Sequence, residues 1–143
     1  MQTLTVERDN RTQLSALLSD ENWLVACLCA AWCDTCNAYR ANFDALAARH
    51  PTLGFAWIDI EDQADLVGDL DVENFPTLLI QRGPTVAFFG AIPPDLQVAE
   101  RLILAQTSIT DAELQRAAIS SPERQSWQRD CNLKLRLQIA GDS

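Results

Sequence analysis

WLVACLCAAWCDTCNAY, residues 23–39, joins an uninterrupted apolar run to two cysteines that are separated by two residues. The apolar run at 23–29 is rich in strand formers and lacks polar alternation, which predicts a central strand covered on both faces. After the cysteines, apolar residues recur at helical spacing, namely Tyr39, Phe43, Leu46 and Ala47. We therefore predict a helix from about Asp34 to Arg49, ending before a proline, so that the cysteine pair lies where a strand leads into a helix.

The two cysteines, Cys33 and Cys36, have a chemical reason to lie at such a junction. The first turn of a helix presents unpaired N–H groups and the positive end of the helix dipole, and both stabilise a thiolate on Cys33. Cys36 follows nearly one turn later, close enough to form a disulfide with Cys33. The pattern indicates a redox couple in which Cys33 attacks a substrate disulfide and Cys36 resolves the mixed disulfide.

A metal site is a second interpretation of the same cysteines. A zinc site usually needs two such pairs, or one pair with histidines. The chain has one histidine, and its remaining cysteines are Cys27, Cys29 and Cys131. Because Cys27 and Cys29 lie on the predicted buried strand, we expect no metal. A site formed by these two residues with Cys33 and Cys36 remains the alternative.

The flanking segments predict a mixed sheet with helices on both faces. Alternating or continuous apolar runs predict strands at 2–7, 55–60, 77–82 and 85–90. Helical patterns occupy 10–19, a short segment ending near Gly68, and a segment opening near Pro94. Strands and helices alternate at first, which implies parallel strands, and the last two strands form an antiparallel hairpin. The fold class is therefore α/β, with a mixed central sheet flanked by helices.

Residues 108–143 do not continue the strand and helix alternation, and we treat them as a C-terminal extension. Two helices are predicted there, one capped by Thr110 and one capped by Ser121 with a proline in its first turn. LKLRLQI, residues 133–139, alternates strictly and has the period of a strand. Such a strand could join the edge of its own sheet or of a neighbouring copy, giving a homo-oligomer, and a packed helix is the alternative.

Charge and composition exclude several classes of function. The net charge is −9, and all of it falls in residues 1–107, which argues against nucleic-acid binding and against docking on anionic membrane. The first ten residues lack the basic and apolar regions of a signal peptide, and no apolar run approaches the length of a membrane span. We therefore expect a cytoplasmic protein, in which a disulfide is more often catalytic than structural.

Two motifs together resemble the thioredoxin family: Trp-Cys-x-x-Cys at 32–36, directly after an apolar strand, and NFPTLLI at 74–80 before a strand and hairpin. The resemblance covers about residues 2–107, so we assign 1–107 to a thioredoxin-like domain. It implies a thiol–disulfide oxidoreductase that acts on protein or small-molecule disulfides, without a cofactor, and receives electrons from a reductase. The alternative is a binding or chaperone module on the same fold, because a fold does not fix a function.

The resemblance also implies roles for individual residues. Cys33 is the nucleophile and Cys36 the resolving thiol. Pro76 is expected to be cis and to lie opposite the pair, leaving the backbone of Phe75 open to an extended substrate. Trp32 is expected to shield one side of the cysteines. A further substrate contact is expected at Gly90, which matches a glycine beside the family's peptide groove.

The residues between the cysteines depart from the family pattern, since Asp34 and Thr35 replace Gly-Pro. A carboxylate beside Cys33 disfavours the thiolate, yet the same carboxylate suits a helix N-terminus. These effects oppose each other, so the sequence does not fix the reduction potential or the direction of electron flow.

A second departure concerns the buried Asp–Lys pair of typical thioredoxins, whose positions hold Cys27 and Trp57. The loss of both partners is consistent, because a lone buried charge is costly. The usual general base is therefore missing, and Asp59 or Glu61 is the candidate to replace it through water.

A third departure is Cys29, which replaces an aromatic residue near the active site. Cys27 and Cys29 are two apart on a strand and so face the same side, beneath the Cys33–Cys36 pair. We expect both to be small buried hydrophobic residues. The more specific hypothesis is an auxiliary thiol that exchanges with Cys36.

The stretch 59–73 carries seven acidic residues and no lysine or arginine. We expect a solvated helix face here. The functional alternative is electrostatic steering of a basic partner.

Overall fold

The computed structural model describes residues 3–19, 22–70, 72 and 74–140 and contains one five-stranded mixed sheet. Its strands are β1 (Leu4–Thr5), β2 (Trp23–Cys29), β3 (Gly54–Asp59), β4 (Thr77–Arg82) and β5 (Thr85–Ala91). The spatial order is β1-β3-β2-β4-β5. The first three strands are parallel, while β4 is antiparallel to β2 and forms a hairpin with β5. The predicted mixed sheet is confirmed.

Seven α-helices surround the sheet in the described part of the chain. They are α1 (Arg11–Leu17), α2 (Asp34–Arg49), α3 (Ala64–Val67), α4 (Leu96–Thr107), α5 (Asp111–Ala118), α6 (Pro122–Asp130) and α7 (Leu133–Ile139). The bounds of β2 and α2 agree with the prediction. Helix α4 begins one residue after Asp95, whose carboxylate caps it, so Pro94 lies just before the helix, near its first turn as predicted.

The central strand β2 sends alternate side chains into two cores. Val25, Cys27 and Cys29 face one side, where α2, α4 and Leu114 of α5 cover the sheet. The intervening residues of β2 face the other side, which α1, α3 and the last two helices cover. Every residue of β2 after Trp23 is buried, as expected for a strand packed on both faces. The cysteines of β2 therefore lie beneath α2.

The prediction of a terminal strand at 133–139 is wrong, because this segment is helix α7. Asn132 caps the helix by accepting a hydrogen bond from the backbone N–H of Leu135. Leu133 and Leu137 are four residues apart, so they share one helical face and are buried in the second core. Leu135 and Ile139 are 42% and 84% exposed. Tertiary packing of one face thus outweighs the alternating pattern.

The extension is joined to the sheet by side-chain hydrogen bonds as well as by apolar packing. Gln128 of α6 pairs with the backbone of the edge strand, since its side chain accepts from the N–H of Val86 and donates to the carbonyl of Val86, each at 2.8 Å. Trp127 packs edge-on against Phe88 of the same strand, with ring centroids 5.9 Å apart. The extension therefore covers part of the β5 edge that an added strand would use.

Within the parts of the chain that the structure describes, none of the helices has the length and apolar character needed to cross a bilayer.

Candidate active site

The two motif cysteines occupy different environments at the start of α2. Cys33 is the N-cap residue, with extended backbone dihedrals, and is half-buried. Cys36 is the third residue of the helix and is 0% exposed. Between them, Asp34 and Thr35 are exposed in the first turn, where a carboxylate complements the helix dipole. Only Cys33 of the two can be approached from outside.

The disulfide at this site joins Cys36 to Cys29, not to Cys33. The Cα atoms of Cys29 and Cys36 are 5.8 Å apart, within the usual range for a disulfide. Cys33 is a free thiol. Cys29 is buried as expected, but the expectation that it is only a small buried hydrophobic residue is wrong in this structure, because it is bonded to Cys36. The physical reason is its position, because Cys29 ends β2 on the face that the first turn of α2 covers.

Cys27 is a free, buried thiol next to the disulfide. Its Sγ lies 3.7 Å from Sγ of Cys29, and since Cys29 carries no hydrogen in the disulfide, Cys27 is the donor in this weak contact. Burial raises the pKa of Cys27 well above its ordinary value, although the charge of Arg40 opposes the change. Cys27 is paired in register with Trp57 on β3. This buried position consequently holds a protonated thiol and no carboxylate.

Trp32 forms an exposed lip beside the cysteines and is 64% exposed. Its Nε1–H donates a hydrogen bond to Oε2 of Glu61 at 3.1 Å. Its ring meets the ring of Phe75 edge-on, with centroids 5.6 Å apart. The indole is thereby held between the loop after β3 and the loop before β4.

The carboxylates proposed as substitute bases both take part in local hydrogen bonds. Glu61 binds the indole of Trp32. Oδ1 of Asp59 accepts the backbone N–H groups of Glu61 and Asp62 at 2.8 and 2.9 Å, which fixes the turn after β3. A role for either residue in proton transfer stays a prediction.

The remaining predicted substrate contacts lie on the loop before β4 and on β5. The Phe75–Pro76 peptide bond is cis, Phe75 is half-buried and Pro76 is buried. The carbonyl of Pro76 accepts the N–H of Ile92 at 3.1 Å, and Gly90 is paired with Leu78 of β4. A Cβ at Gly90 would lie 3.2 Å from the ring of Phe88. The structure thus places Phe75, Pro76 and Gly90 on adjoining segments.

Most of the chain matches one known protein family. The family model described as Thioredoxin matches residues 3–96, about two thirds of the chain. The chain belongs to the thioredoxin family. A thioredoxin H-type of Picea mariana is 26% identical over 106 residues, which cover 73% of this chain and 85% of that protein.

Solved thioredoxin structures share the fold. A mutant thioredoxin from Halobacterium salinarum superposes with a TM-score of 0.64 at 23% identity, covering 76% of this chain and 94% of that one. A thioredoxin from Nicotiana alata gives a TM-score of 0.64 at 20% identity, covering 73% of this chain and 92% of that one. The family and its disulfide-forming cysteines support thiol–disulfide oxidoreductase activity in general.

A buried tyrosine lies on the helix that carries Cys36. Tyr39 lies three residues after Cys36, on the same helical face, and is buried. Its hydroxyl has no hydrogen-bond partner among the described residues. Burial raises the pKa of Tyr39, and the ionised form of Cys27 and the carboxylate of Asp95 act in the same direction. The helical spacing from Cys36 was the available sequence signal.

Two carboxylates of the acidic stretch at 59–73 are neutralised by ion pairs with arginines, so fewer of its charges are free than the composition suggests. Asp65 forms an ion pair with the buried Arg11 at 2.8 Å, and Asp69 forms one with Arg136 of α7 at 2.6 Å. These hydrogen bonds and charges lower the pKa of both carboxyl groups. Two other members of the stretch, at positions 71 and 73, lie outside the described residues. Steering of a basic partner by this stretch remains a prediction.

Among the residues whose positions are described, no group of three or more His, Cys, Asp or Glu side chains is arranged to hold a metal ion. In this structure, two of the four cysteines considered for such a site are joined to each other.

Proposed function

We propose that the chain exchanges electrons with substrate disulfides, with Cys33 as the nucleophile and Cys36 as the resolving thiol. The observation that carries the proposal is the difference in exposure between the two residues. Cys33 is half-buried at the positive end of a 16-residue helix, whereas Cys36 is completely enclosed. A substrate sulfur therefore meets Cys33 first.

The reaction follows from these positions. The Cys33 thiolate attacks one sulfur of the substrate disulfide, and the other substrate sulfur leaves as a thiolate that takes up a proton. The Cys36 thiolate then attacks Sγ of Cys33 and releases the second substrate thiol. The substrate gains two electrons and two protons, and a Cys33–Cys36 disulfide forms. The cycle needs a reductase, or an equivalent dithiol, to return both cysteines to thiols.

The proposed substrate surface adjoins Cys33. An extended peptide is proposed to lie against Phe75, Pro76 and Gly90, with Trp32 as the wall on the opposite side. A side chain at position 90 would meet the ring of Phe88, so a residue larger than glycine would disturb this part of the proposed surface. Asp34 and Thr35 are exposed beside Cys33, so they are placed to influence the reactivity of its sulfur.

The partners of such a reaction are protein or small-molecule disulfides and a reductase. The proposal includes no bound cofactor. A reducing compartment such as the cytoplasm would keep the cysteines reduced between turnovers. The surface around Trp32 and Phe75 is proposed to select among substrates.

Reduction of insulin disulfides by the full chain, with dithiothreitol as electron donor, tests the proposal. We expect Cys33→Ser to reduce the rate to background. Cys36→Ser should instead accumulate a mixed disulfide between Cys33 and the substrate, visible by mass spectrometry. Cys131→Ala is the matched control, because it removes a buried cysteine from the opposite core and should retain activity. Wild-type activity no higher than the rate with dithiothreitol alone would favour the non-catalytic binding or chaperone module. Full activity in Cys33→Ser would contradict the assignment of Cys33 as the nucleophile.

A further inference from the structure

We propose that Cys29 is a third redox-active cysteine, and that the disulfide moves between Cys33–Cys36 and Cys29–Cys36 during the catalytic cycle. The inference rests on the proposed function, since Cys33 and Cys36 must first exchange with a substrate. It adds a residue and an oxidised state that the two-cysteine mechanism lacks.

The geometry makes the sulfur of Cys36 accessible to two partners. Cys36 is the third residue of α2, one turn from the N-cap residue Cys33. Beneath it, Cys29 ends β2, and the two are directly bonded. One partner lies along the helix and the other lies under it. Cys36 can therefore keep its position while its disulfide partner changes.

The exchange is balanced without an external oxidant or reductant. In the Cys33–Cys36 form, Cys29 loses its proton and its sulfur attacks Sγ of Cys36. The bond between Cys33 and Cys36 breaks, and Cys33 leaves as a thiolate that takes up a proton from solvent. One disulfide and one thiol are present before and after, so no electrons are gained or lost. The reverse step begins with the Cys33 thiolate attacking Cys36.

Because Cys29 and Cys36 are buried, their disulfide can exchange with outside thiols only through Cys33. Cys29 and Cys36 are 1% and 0% exposed, so neither a substrate nor a reductase can reach their disulfide directly. Reducing equivalents must enter through Cys33. The Cys29–Cys36 form therefore stores two oxidising equivalents internally while it presents Cys33 as a free thiol at the surface.

Cys27 acts as a positioning residue in this exchange. Its Sγ lies 3.7 Å from Sγ of Cys29 and donates the weak hydrogen bond between them. When Cys33 attacks Cys36, negative charge develops on Cys29 inside an apolar core. The S–H of Cys27 is directed at that sulfur and stabilises the charge, because a donor to the anionic form favours it.

Mass spectrometry of the full chain distinguishes the two disulfides. Reduced protein is oxidised with insulin as the substrate disulfide, quenched with acid to stop exchange, and blocked with N-ethylmaleimide in denaturant. Chymotrypsin, which accepts aromatic residues in its hydrophobic pocket, cleaves after Trp32 and Tyr39. A Cys33–Cys36 bridge then stays within peptide 33–39, whereas a Cys29–Cys36 bridge links that peptide to the one preceding residue 33.

We expect the linked peptides in oxidised wild type, with N-ethylmaleimide on Cys33. They should be lost in Cys29→Ala and retained in Cys131→Ala. Cys33→Ser should stay reduced under the same treatment, because its buried cysteines have no entry point. Finding only the bridge within peptide 33–39 in wild type overturns the inference, and this map decides the matter even if Cys29→Ala does not fold.

The role of Cys27 is read from the rate at which the Cys33–Cys36 form converts to the Cys29–Cys36 form, followed by acid quenching at successive times. Cys27→Ser keeps a hydrogen donor beside Cys29 and should preserve this rate, while Cys27→Ala should lower it. Equal rates in both variants overturn the role of Cys27. Failure of the inference differs from failure of the proposed function: in the first case wild type reduces insulin through a bridge confined to 33–39, and in the second Cys33→Ser reduces insulin as fast as wild type.

Discussion

Gln81 and Asn132 are hydrogen bonded to each other inside the protein, Nε2 to Oδ1 at 2.7 Å, although 51 residues separate them. Both side chains are buried. The same Gln81 amide donates to the carbonyl of Gly83 and accepts the N–H of Leu133. Since a buried amide is costly when it lacks partners, strand β4 and the start of α7 depend on each other.

We predict that Asn132→Ala lowers the free energy of unfolding by about 2–3 kcal/mol, since it leaves buried groups unpaired and removes a helix cap. The lost contacts are those to Gln81, to the carbonyl of Pro84 and to the N–H of Leu135. Urea denaturation measures the change. Gln138→Ala, at an exposed position of the same helix, is the control and should shift stability by less than about 0.5 kcal/mol. Equal midpoints for Asn132→Ala and wild type would contradict the prediction.

The elements nearest the cysteines could be predicted from the sequence because their signals are local. Strand β2 is an uninterrupted apolar run that ends where the Trp-Cys motif begins, and α2 has an apolar stripe followed by a proline. The caps of α5 and α6 by Thr110 and Ser121 are likewise local and are confirmed. Such signals lie within a few residues of the element they define.

The features that the sequence did not predict depend on distant contacts. The alternation at 133–139 fits a strand, but packing of Leu133 and Leu137 against the sheet and the bond from Gln81 select a helix. The disulfide is a similar case. The sequence indicated that Cys29 faces α2, yet the partner of Cys36 depends on how deeply the helix start is buried against the sheet.

Removal of the buried hydroxyl of Tyr39 is expected to stabilise the protein, in contrast to the destabilising Asn132→Ala substitution. Because this hydroxyl has no hydrogen-bond partner among the described residues, Tyr39→Phe should raise the free energy of unfolding by about 1 kcal/mol. The phenyl ring keeps the packing against Phe43, whose ring centroid is 6.3 Å away. Tyr39→Leu is the matched control and should be destabilising through loss of the ring. Thermal or urea unfolding measures both changes, and a destabilised Tyr39→Phe would show that the hydroxyl has a partner.

Ionisation of Cys131 is expected to lower the free energy of unfolding at alkaline pH. Burial raises the pKa of Cys131 from its ordinary value of 9.0 to about 11; Arg136 opposes this shift, and Asp130 adds to it. The unfolded chain therefore loses this proton first as the pH rises, so stability is fully present below about pH 9 and falls up to about pH 11. Urea midpoints at pH about 8 and about 10.5 measure the loss.

Cys131→Ala is the control for this pH dependence and should show a smaller alkaline loss than wild type. Burial also raises the pKa of Cys27, but Cys27 is present in both proteins, so its contribution cancels in the comparison. An equal alkaline loss in the two proteins would mean that Cys131 has the same pKa in the folded and unfolded states.

Glu61 could either orient the indole of Trp32 or transfer a proton, and substitutions of Glu61 distinguish these two roles. If Glu61 only orients the exposed indole, Glu61→Ala should raise KM for a peptide disulfide by up to about fivefold, the equivalent of one hydrogen bond of about 1 kcal/mol, with kcat unchanged. Glu61→Gln retains an acceptor for the indole N–H and should keep KM close to wild type. Steady-state reduction of a peptide disulfide measures both constants.

The pH profile of kcat/KM in Glu61→Gln then decides between the two roles, because glutamine can accept the indole hydrogen bond but cannot take up a proton at the pH of the assay. An unchanged profile means that Glu61 is not the base that replaces the missing buried aspartate. Loss of one limb of the profile, together with a normal KM, would instead assign proton transfer to Glu61. Asp59→Asn is a less direct test of the same kind, since Oδ1 of Asp59 also fixes the turn through the N–H groups of Glu61 and Asp62. Of the two carboxylates, Glu61 is therefore the one whose side chain can be changed without disturbing the turn beside Trp32.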